Sequence, residues 1–422
     1  MKIKMIMLYI ILFMLLVDIY AFKGLRMLLY PSTPMFKYLL WGGYWLITLV
    51  IFLSLYFMGR RLGNSTDPQL YKNMYTLGGI FLMVYLPKLV FISFHLIEDI
   101  LFLFQYLVSV INSLITPPST ASQAGISRLT FLSRTGLIAA ALPFAGVLYG
   151  MVRGRFDYRT EHLTINFPDL PEAFDGLKIV QVSDIHIGSY WGHKEKVIGA
   201  IEKVNEQEAD IILFTGDLVN NFARELNGWI DILGNMKARM GKYSILGNHD
   251  YGDYHNWDSK EAKAANLDAI KEAHGKMGFK LLLNKNVLLE KKDQKLAIAG
   301  VENWGKPPFP QYGNLTEALQ GIPGNCFTML MSHDPSHWDE EILKNTNIPV
   351  TFSGHTHGMQ FGINLPFLKW SPVKYRYPRW AGLYNENNQY LYVNRGFGYI
   401  GYPGRVGMPP EITVITIKKA AS

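Results

Sequence analysis

The stretch TFSGHTHGMQ, residues 351–360, places His355 and His357 two positions apart, each beside a glycine, at the end of an apolar run. Two imidazoles so close are either an exposed turn or part of a metal site. Four further apolar runs decide between these, because each also ends in residues that can ligate. LKIVQVSDIH ends in Asp184 and His186, DIILFTGD in Asp217, KYSILGNHD in Asn248, His249 and Asp250, and FTMLMSHDP contains His333.

This set offers carboxylates, an amide and at least four imidazoles, with no thiolate. Mixed nitrogen and oxygen donors suit Mn, Fe, Zn or Co, with Mn favoured here, rather than calcium, which prefers oxygen alone. The donors exceed the needs of one ion, so two divalent metal ions are expected. Asp217, at the end of a central run, is the natural bridge. Two such ions about 3.5–4 Å apart clamp a phosphoryl group and lower the pKa of bound water. The chemistry expected is hydrolysis of a phosphate ester substrate, a phosphodiester or related ester, by a metal-activated hydroxide. The leaving oxygen needs a proton, and His249 is the expected acid, with Asp250 as its orienting carboxylate.

The elements that must position these residues are short strands. The runs are apolar throughout and, in the first half of this region, alternate with helical patterns over 194–208, about 222–238 and 259–276. That predicts an α/β fold whose buried sheet is covered by helices. Ligands then gather beyond the carboxyl ends of the strands. Gly216, Gly247 and Gly354 each precede a proposed ligand, where a missing Cβ permits a sharp turn.

The chain has 422 residues, a net charge of +7 and one cysteine, Cys326. No intrachain disulfide or cysteine-based metal site is possible. Basic residues are dispersed or flank apolar segments, so no nucleic acid is expected as a partner. Long apolar runs up to about residue 152 predict a membrane region over 1–155, followed by a catalytic domain over 156–422. Five spans are read: 5–22, 38–58, two within 75–115 joined by a tight hairpin at HLIEDI (95–100), and 136–152. Membrane lipids are therefore partners, and no protein partner is identifiable. The run 5–22 lacks a small-x-small cleavage site and does not read as a signal peptide. Five spans with the N-terminus inside place the catalytic domain outside the cytoplasmic membrane, on a slender bias of basic residues. TPPSTASQAGIS (116–127) reads as a flexible connection, and Lys88 as a snorkelling or bundle-facing lysine inside the third run.

Other polar residues are expected to be structural: His162, His193, His255, His274 and His337. Arg395 and Arg405 are either phosphate-binding or ordinary loop arginines. The aromatic segment WSPVKYRYPRWAGLY (370–384) either packs under a long loop, lines a groove or touches the membrane; NWGKPPFPQY (303–312) is equally open.

Taken in order, DIH, GD, GNHD, H and GHTH resemble the calcineurin-like metallophosphoesterases over about residues 160–418. SHDP, YVNRGFG and PPEITVITI narrow the resemblance to its membrane-associated or exported bacterial phosphodiesterases. The resemblance implies a four-layer αββα metallophosphoesterase sandwich with a dinuclear centre. Asp184, His186 and His357 would hold one ion, Asn248, His333 and His355 the other, and Asp217 would bridge. Met359 stands where many relatives have a second glycine, and SRLTFLSRTG lacks adjacent arginines, so a twin-arginine signal is not supported. The leading expectation is a membrane-anchored phosphohydrolase. The alternatives are a lipid-precursor pyrophosphatase at the membrane surface, acting on a lipid-linked substrate, and a non-catalytic membrane sensor.

Overall fold

The computed structural model describes residues 2–29, 32–62, 65–115, 126–190, 192–307, 309–365 and 367–420. The expected flexible connection at 116–127 falls largely outside them. The chain divides into two compact units. One comprises Met1–Arg61 and Thr76–Tyr149; the other comprises Leu62–Tyr75 and Gly150–Ser422. The second unit runs from Gly150 and takes in a short upstream segment.

The first unit is built from long helices: α1 (Lys2–Leu28), α2 (Pro34–Leu62), α3 (Pro68–Ile115) and α4 (Ile126–Val152). Three stretches, Pro34–Arg61, Pro68–Ile111 and Phe131–Phe156, are long and apolar enough to cross a membrane. Pro87 lies inside α3, but the helix continues through it. The hairpin expected at HLIEDI does not form, so the described residues hold four long helices in place of five spans. The reason lies in partners the sequence pattern does not reveal. Asp99 accepts a hydrogen bond from Tyr20 Oη at 2.6 Å and pairs with Lys23 Nζ at 2.8 Å, both on α1. A charge with partners on a neighbouring helix need not break its own helix. Lys88 takes the bundle-facing alternative rather than snorkelling. It pairs with Asp18, which is fully buried and also accepts from Tyr85 Oη at 2.8 Å and Tyr44 Oη at 3.0 Å.

The second unit is the predicted α/β domain. One six-stranded sheet contains β1 (Arg159–Phe167), β2 (Leu177–Val182), β3 (Ile211–Phe214), β4 (Gly241–Ser244), β5 (Phe279–Leu281) and β14 (Glu411–Lys419), in the order β1-β14-β2-β3-β4-β5. A second six-stranded sheet contains β6 (Lys285–Lys291), β7 (Gln294–Gly300), β8 (Phe327–Met331), β9 (Val350–Ser353), β12 (Gly382–Glu386) and β13 (Gln389–Val393), in the order β12-β13-β9-β8-β7-β6. A separate ribbon pairs β10 (Ile363–Leu365) with β11 (Leu368–Trp370).

Three apolar layers explain the stack. Ile179, Ile211, Leu213, Ile298, Met329 and Phe352, drawn from both sheets, pack face to face. Val180, Ile212 and Phe214 face the other way, against Val197, Ile201, Ile270 and Ala273 of helices Lys194–Asn205 and Lys260–Lys276. Ala299, Leu330 and Leu391 do the same beneath Leu315, Ala318 and Trp338. Alternate residues of each strand therefore serve two cores, which is why the strands read as continuously apolar. The result is the expected four-layer αββα sandwich.

His274 is structural, as expected. It is fully buried, its Nδ1 lies 2.9 Å from Ser244 Oγ, and its ring stacks on Phe214. Burial pushes its pKa down to about 3. Because the folded value lies below the unfolded one of about 6.5, the unfolded chain binds the proton first as pH falls. The stability this neutral ring contributes is complete above the unfolded pKa and drains away below it, by roughly 3 kcal/mol near pH 4. His274→Phe should flatten the acid limb of the thermal-unfolding profile between about pH 6.5 and 4. An acid limb as steep as that of the parent would contradict this account.

Candidate metal centre

Every ligand candidate sits where a strand runs out. Asp184 and His186 follow β2, Asp217 follows β3, Asn248 and His249 follow β4, His333 follows β8, and His355 and His357 follow β9. The backbone there is bent into an unusual conformation. Asp184, His186, Asp217, His355 and His357 have φ of 52°, 48°, 58°, 72° and 52°. Non-glycine residues seldom adopt this left-handed region, and they hold it only where surroundings enforce it. Five such residues at one rim mark a site whose side-chain directions take precedence over backbone comfort.

The enforcing contacts are visible. Asp250 is fully buried and accepts hydrogen bonds from the backbone N–H of Asp217 (2.9 Å), Leu218 (2.8 Å), Val219 (3.2 Å) and Gly247 (2.9 Å). It therefore ties the Asp217 turn to the Gly247 turn. This corrects the expectation that Asp250 orients His249. Its oxygens are taken up by backbone donors, and the group at His249 Nδ1 is instead the carbonyl of Asn220, at 2.8 Å. Gly247 lies so close to Asp217 that a Cβ there would meet the Asp217 Cγ and backbone N at 2.7 Å. The loop carrying Asn220 is held in turn by Glu225, whose carboxylate accepts from the N–H of Asn220, Asn221 and Phe222. Burial raises the Glu225 pKa to about 7 against the lowering effect of those donors.

Two clusters result. Asp184, His186 and His357 bring one donor atom each within 4.8 Å of one another, as do Asp217, His333 and His355. Asp217 serves both, with Oδ2 3.5 Å from His186 Nε2 and 3.2 Å from His333 Nε2. Asn248 Oδ1 joins the second cluster, 3.2 Å from His333 Nε2 and 2.8 Å from His355 Nδ1. Its amide can be oriented because Nδ2 donates to Tyr254 Oη at 2.7 Å. The ligand expectations thus come together in the grouping the resemblance implied, and which ions they hold is taken up below.

The imidazole tautomers fit cations. A carbonyl oxygen only accepts, so a ring nitrogen beside one must carry the hydrogen. His186 Nδ1 faces Val219 O at 3.1 Å, and His333 Nδ1 faces Thr215 O at 2.7 Å. In the neutral ring each Nε2 then presents a lone pair to the centre, the usual outer support of a ligating histidine. His186 Nε2 and His357 Nε2 lie 3.1 Å apart; the Arg405 guanidinium, which only donates, faces His357 Nδ1 at 3.2 Å, so in the neutral ring His357 Nε2 carries the hydrogen toward the lone pair of His186.

Electrostatics point the same way. Burial alone would raise Asp217, but His333 and the neighbouring imidazoles hold it well below the usual carboxylate range. Burial lowers His186 and His355 toward the neutral form. His333 is the exception: burial opposes its charge, yet Asp217 outweighs burial and raises it to about 10. Two buried carboxylates demand positive charge at this spot, and a proton on His333 is the substitute for a cation.

Several contributors are not singled out individually by the sequence, although Tyr377 lies in the aromatic segment 370–384. Tyr254 and Tyr377 sit in irregular loops, and Tyr377 Oη lies 2.8 Å from His355 Nε2. Asp334 Oδ2 is buried without a hydrogen-bond partner, 3.6 Å from the same nitrogen. Both open readings of the arginines resolve toward structure. Arg395 pairs with Glu411 and Glu161. Arg405 is fully buried and donates to the carbonyls of Arg395 (2.8 Å), Gly396 (3.0 Å) and Met408 (3.2 Å), with Nη2 3.2 Å from His357 Nδ1. It shapes the NRGFG loop, whose Phe397 and Gly398 N–H groups donate to Ser183 O and Asp184 O at 2.7 and 2.8 Å.

Tyr377 and Asp334 support His355 from outside. Tyr377→Phe combined with Asp334→Asn should weaken divalent-cation binding at the cluster of Asp217, His333 and His355 about 10–100-fold, the usual effect of losing such partners. Calorimetric titration would show it, and unchanged affinity at both sites would remove these residues from the centre.

The comparisons with known proteins agree with this geometry. Residues 3–155 match a family model described as a probable calcineurin-like phosphoesterase, transmembrane domain, and residues 177–359 match that of the calcineurin-like phosphoesterases. Among curated relatives, the uncharacterized metallophosphoesterase YkuE of Bacillus subtilis is 34% identical over 307 residues, covering 69% of this chain and 98% of that one. A transmembrane protein with metallophosphoesterase domain from Danio rerio is 27% identical over 330 residues, 76% of this chain and 71% of its own. An uncharacterized metallophosphoesterase of Aquifex aeolicus is 28% identical over 281 residues, 65% and 98% respectively. The strand-end donors, the four-layer sandwich and these matches lead to one conclusion: the chain belongs to the calcineurin-like metallophosphoesterases, and is a phosphoesterase that carries a transmembrane domain.

Proposed function

We propose that this phosphoesterase cleaves phosphodiesters with two divalent cations, one held by Asp184, His186 and His357, the other by Asn248, His333 and His355, with Asp217 shared. The observation that carries the proposal is the position of Asp217 Oδ2, within 3.5 Å of a histidine from each cluster. When bound, the cations supply Lewis-acid polarisation of the phosphoryl group and a more acidic water. The chain supplies the rest. Asp184 and Asp217 leave a paired site net positive, so a phosphate anion is attracted rather than repelled. His249 is less deeply buried than the ligand histidines of the first cluster. With Nδ1 engaged by Asn220 O, its Nε2 is the atom that takes up a proton and delivers it to the leaving oxygen.

The full chain in detergent should hydrolyse bis(p-nitrophenyl) phosphate faster than p-nitrophenyl phosphate with Mn²⁺, and neither with chelator. Asp217→Asn should lower the diester rate by at least about 100-fold and reduce bound metal. His249→Ala should keep its metal, lose about 10²–10⁴-fold on an alkyl diester and far less on the nitrophenyl ester, whose leaving group needs no acid. Equal losses on both esters would take the acid role away from His249.

A second reading, hydrolysis of a pyrophosphate-linked lipid precursor, draws support from the helix count. Counting α1 together with the three apolar stretches gives an even number of crossings, which would put the N-terminus, the α2–α3 connection and the catalytic unit on one face. Within the second unit, Tyr71 Oη of that connection's flank lies 3.2 Å from His255 Nδ1, which agrees with a shared face. Lys2, Lys4, Arg60, Arg61, Lys72, Arg153, Arg155 and Arg159 then flank the spans on the catalytic side, against Lys23, Arg26, Lys37, Arg128 and Arg134 on the other. That distribution favours the cytoplasmic face, where nucleotide-linked precursors reside, over the extracytoplasmic placement expected from five spans. Paired alkaline-phosphatase and fluorescent-protein fusions at the C-terminus decide: fluorescence without phosphatase activity is expected, and the reverse would restore the extracytoplasmic reading.

A further inference from the structure

The ribbon of β10 and β11 stands outside both sheets. It pairs only with itself, Ile363 opposite Trp370 and Leu365 opposite Leu368. A two-stranded ribbon alone is marginal in water and ordinarily keeps polar residues outward. This one does the reverse. Ile363, Leu365 and Leu368 are 40%, 48% and 46% exposed, and Phe367 between the strands is 85% exposed. Met359 and Tyr375, which flank the ribbon in sequence, are 54% and 78% exposed. The segment 361–385 contains four basic residues and no acidic one. Of these, Lys369 donates to Ala381 O and Arg379 pairs with Asp339 and Glu386, whereas Lys374 is exposed beside Tyr375. Apolar side chains, an exposed tyrosine and the exposed cations Lys374 and Arg376 complement a lipid headgroup layer.

A second observation links this ribbon to an apolar stretch long enough to cross a membrane. Its base is bonded to a short segment, with Gly362 N–H donating to Val406 O at 2.9 Å and Val406 N–H donating to Gln360 O at 2.8 Å. The same segment meets the last turn of α4, where Arg405 N–H donates to Gly150 O at 3.2 Å. A Cβ on Gly150 would meet Arg405 O at 2.8 Å and Val406 Cγ2 at 2.7 Å, so the helix exit lies directly against that backbone. Residues Phe131–Phe156 are one of the apolar spans. Gly150, within that stretch, therefore lies one layer of backbone away from the ribbon. The metal ligand His357 lies in the turn that leads into the ribbon, and Tyr377, partner of His355, follows it.

We propose that the β10–β11 ribbon, with Met359 and Tyr375, dips into the bilayer interface beside the metal site, and that the site draws its phosphoester from a lipid in that bilayer. Insertion stands on the geometry alone; the substrate class rests on the phosphoesterase reading above.

The test uses the full chain in vesicles of phosphatidylcholine and phosphatidylglycerol. Cys326→Ser removes the native thiol, and Phe367→Cys carries an environment-sensitive NBD label. The label should emit at shorter wavelength and be quenched by doxyl lipids, with or without EDTA, whereas a label at Lys291→Cys should report water. A Phe367 label as wet as the Lys291 one overturns insertion. For the substrate, Leu365→Ser with Phe367→Ser should slow release of nitrophenol from phosphatidyl-p-nitrophenol about tenfold or more while leaving bis(p-nitrophenyl) phosphate within about twofold. Equal effects on the two esters overturn the lipid assignment. Loss of both activities in the parent chain with metal bound sinks the phosphoesterase reading, and the label still decides insertion.

Discussion

Two carboxylates with almost no access to water, Asp184 and Asp217, meet at the rim of two sheets, and the rest of the domain is arranged around that unfavourable fact. Unpaired carboxylates in a protein interior are expensive, and apolar packing cannot offset them. Only concentrated positive charge does so, and divalent cations supply the most in the least space. The left-handed turns at five of the ligands follow from the same demand. Each turn aims a side chain at a point where the backbone alone would not send it, and the strain is held by Asp250, by the NRGFG loop and by glycines that let chains touch.

Neither sheet supplies a whole donor cluster. Asp184 and His186 come from the sheet of β2 and β3, while His357 comes from that of β9; Asp217 comes from the first, while His333 and His355 come from the second. The spacing of donors across the centre is therefore set by how the two sheets pack. The layer containing Ile179, Leu213, Met329 and Phe352 is a structural core and the ruler of the donor clusters at once. Close-packed interiors transmit small volume changes, so a methylene removed here is felt at the donors.

Much of this was legible in the chain. Apolar runs ending in Asp, Asn and His gave away both the sheet and the rim, because strand ends and chemistry coincide in such folds. What escaped has a common cause. Asp250 follows His249 directly, so adjacency suggested a pair, but neighbouring residues on a turn point apart, and Asp250 serves the backbone of another strand end. Glu98 and Asp99 read as a turn because the sequence does not show that α1 brings Tyr20 and Lys23 to Asp99. Tyr254, Tyr377 and Asp334 act through side chains distant in sequence and so leave no periodic trace. Local pattern reports which surface of an element is apolar; it does not report which far residue satisfies a buried polar group.

The helical unit applies the same rule in a different solvent. In hydrocarbon, apolar helices gain little by choosing one neighbour over another, since lipid is as apolar as leucine. Polar groups supply the choice. Asp18 is held by Lys88, Tyr85 and Tyr44 from two other helices, and each of those partners would be costly without it. Lys88 also lies over the rings of Tyr44 and Tyr85, 4.4 and 4.7 Å from their centroids, so its charge is shared between a carboxylate and two π faces. A buried pair is weak evidence for stability but good evidence for register, because a slide of one helix turn would strand three polar groups in an apolar interior. A tether needs a single span; a register lock among α1, α2 and α3 makes sense for helices that must hold their depth.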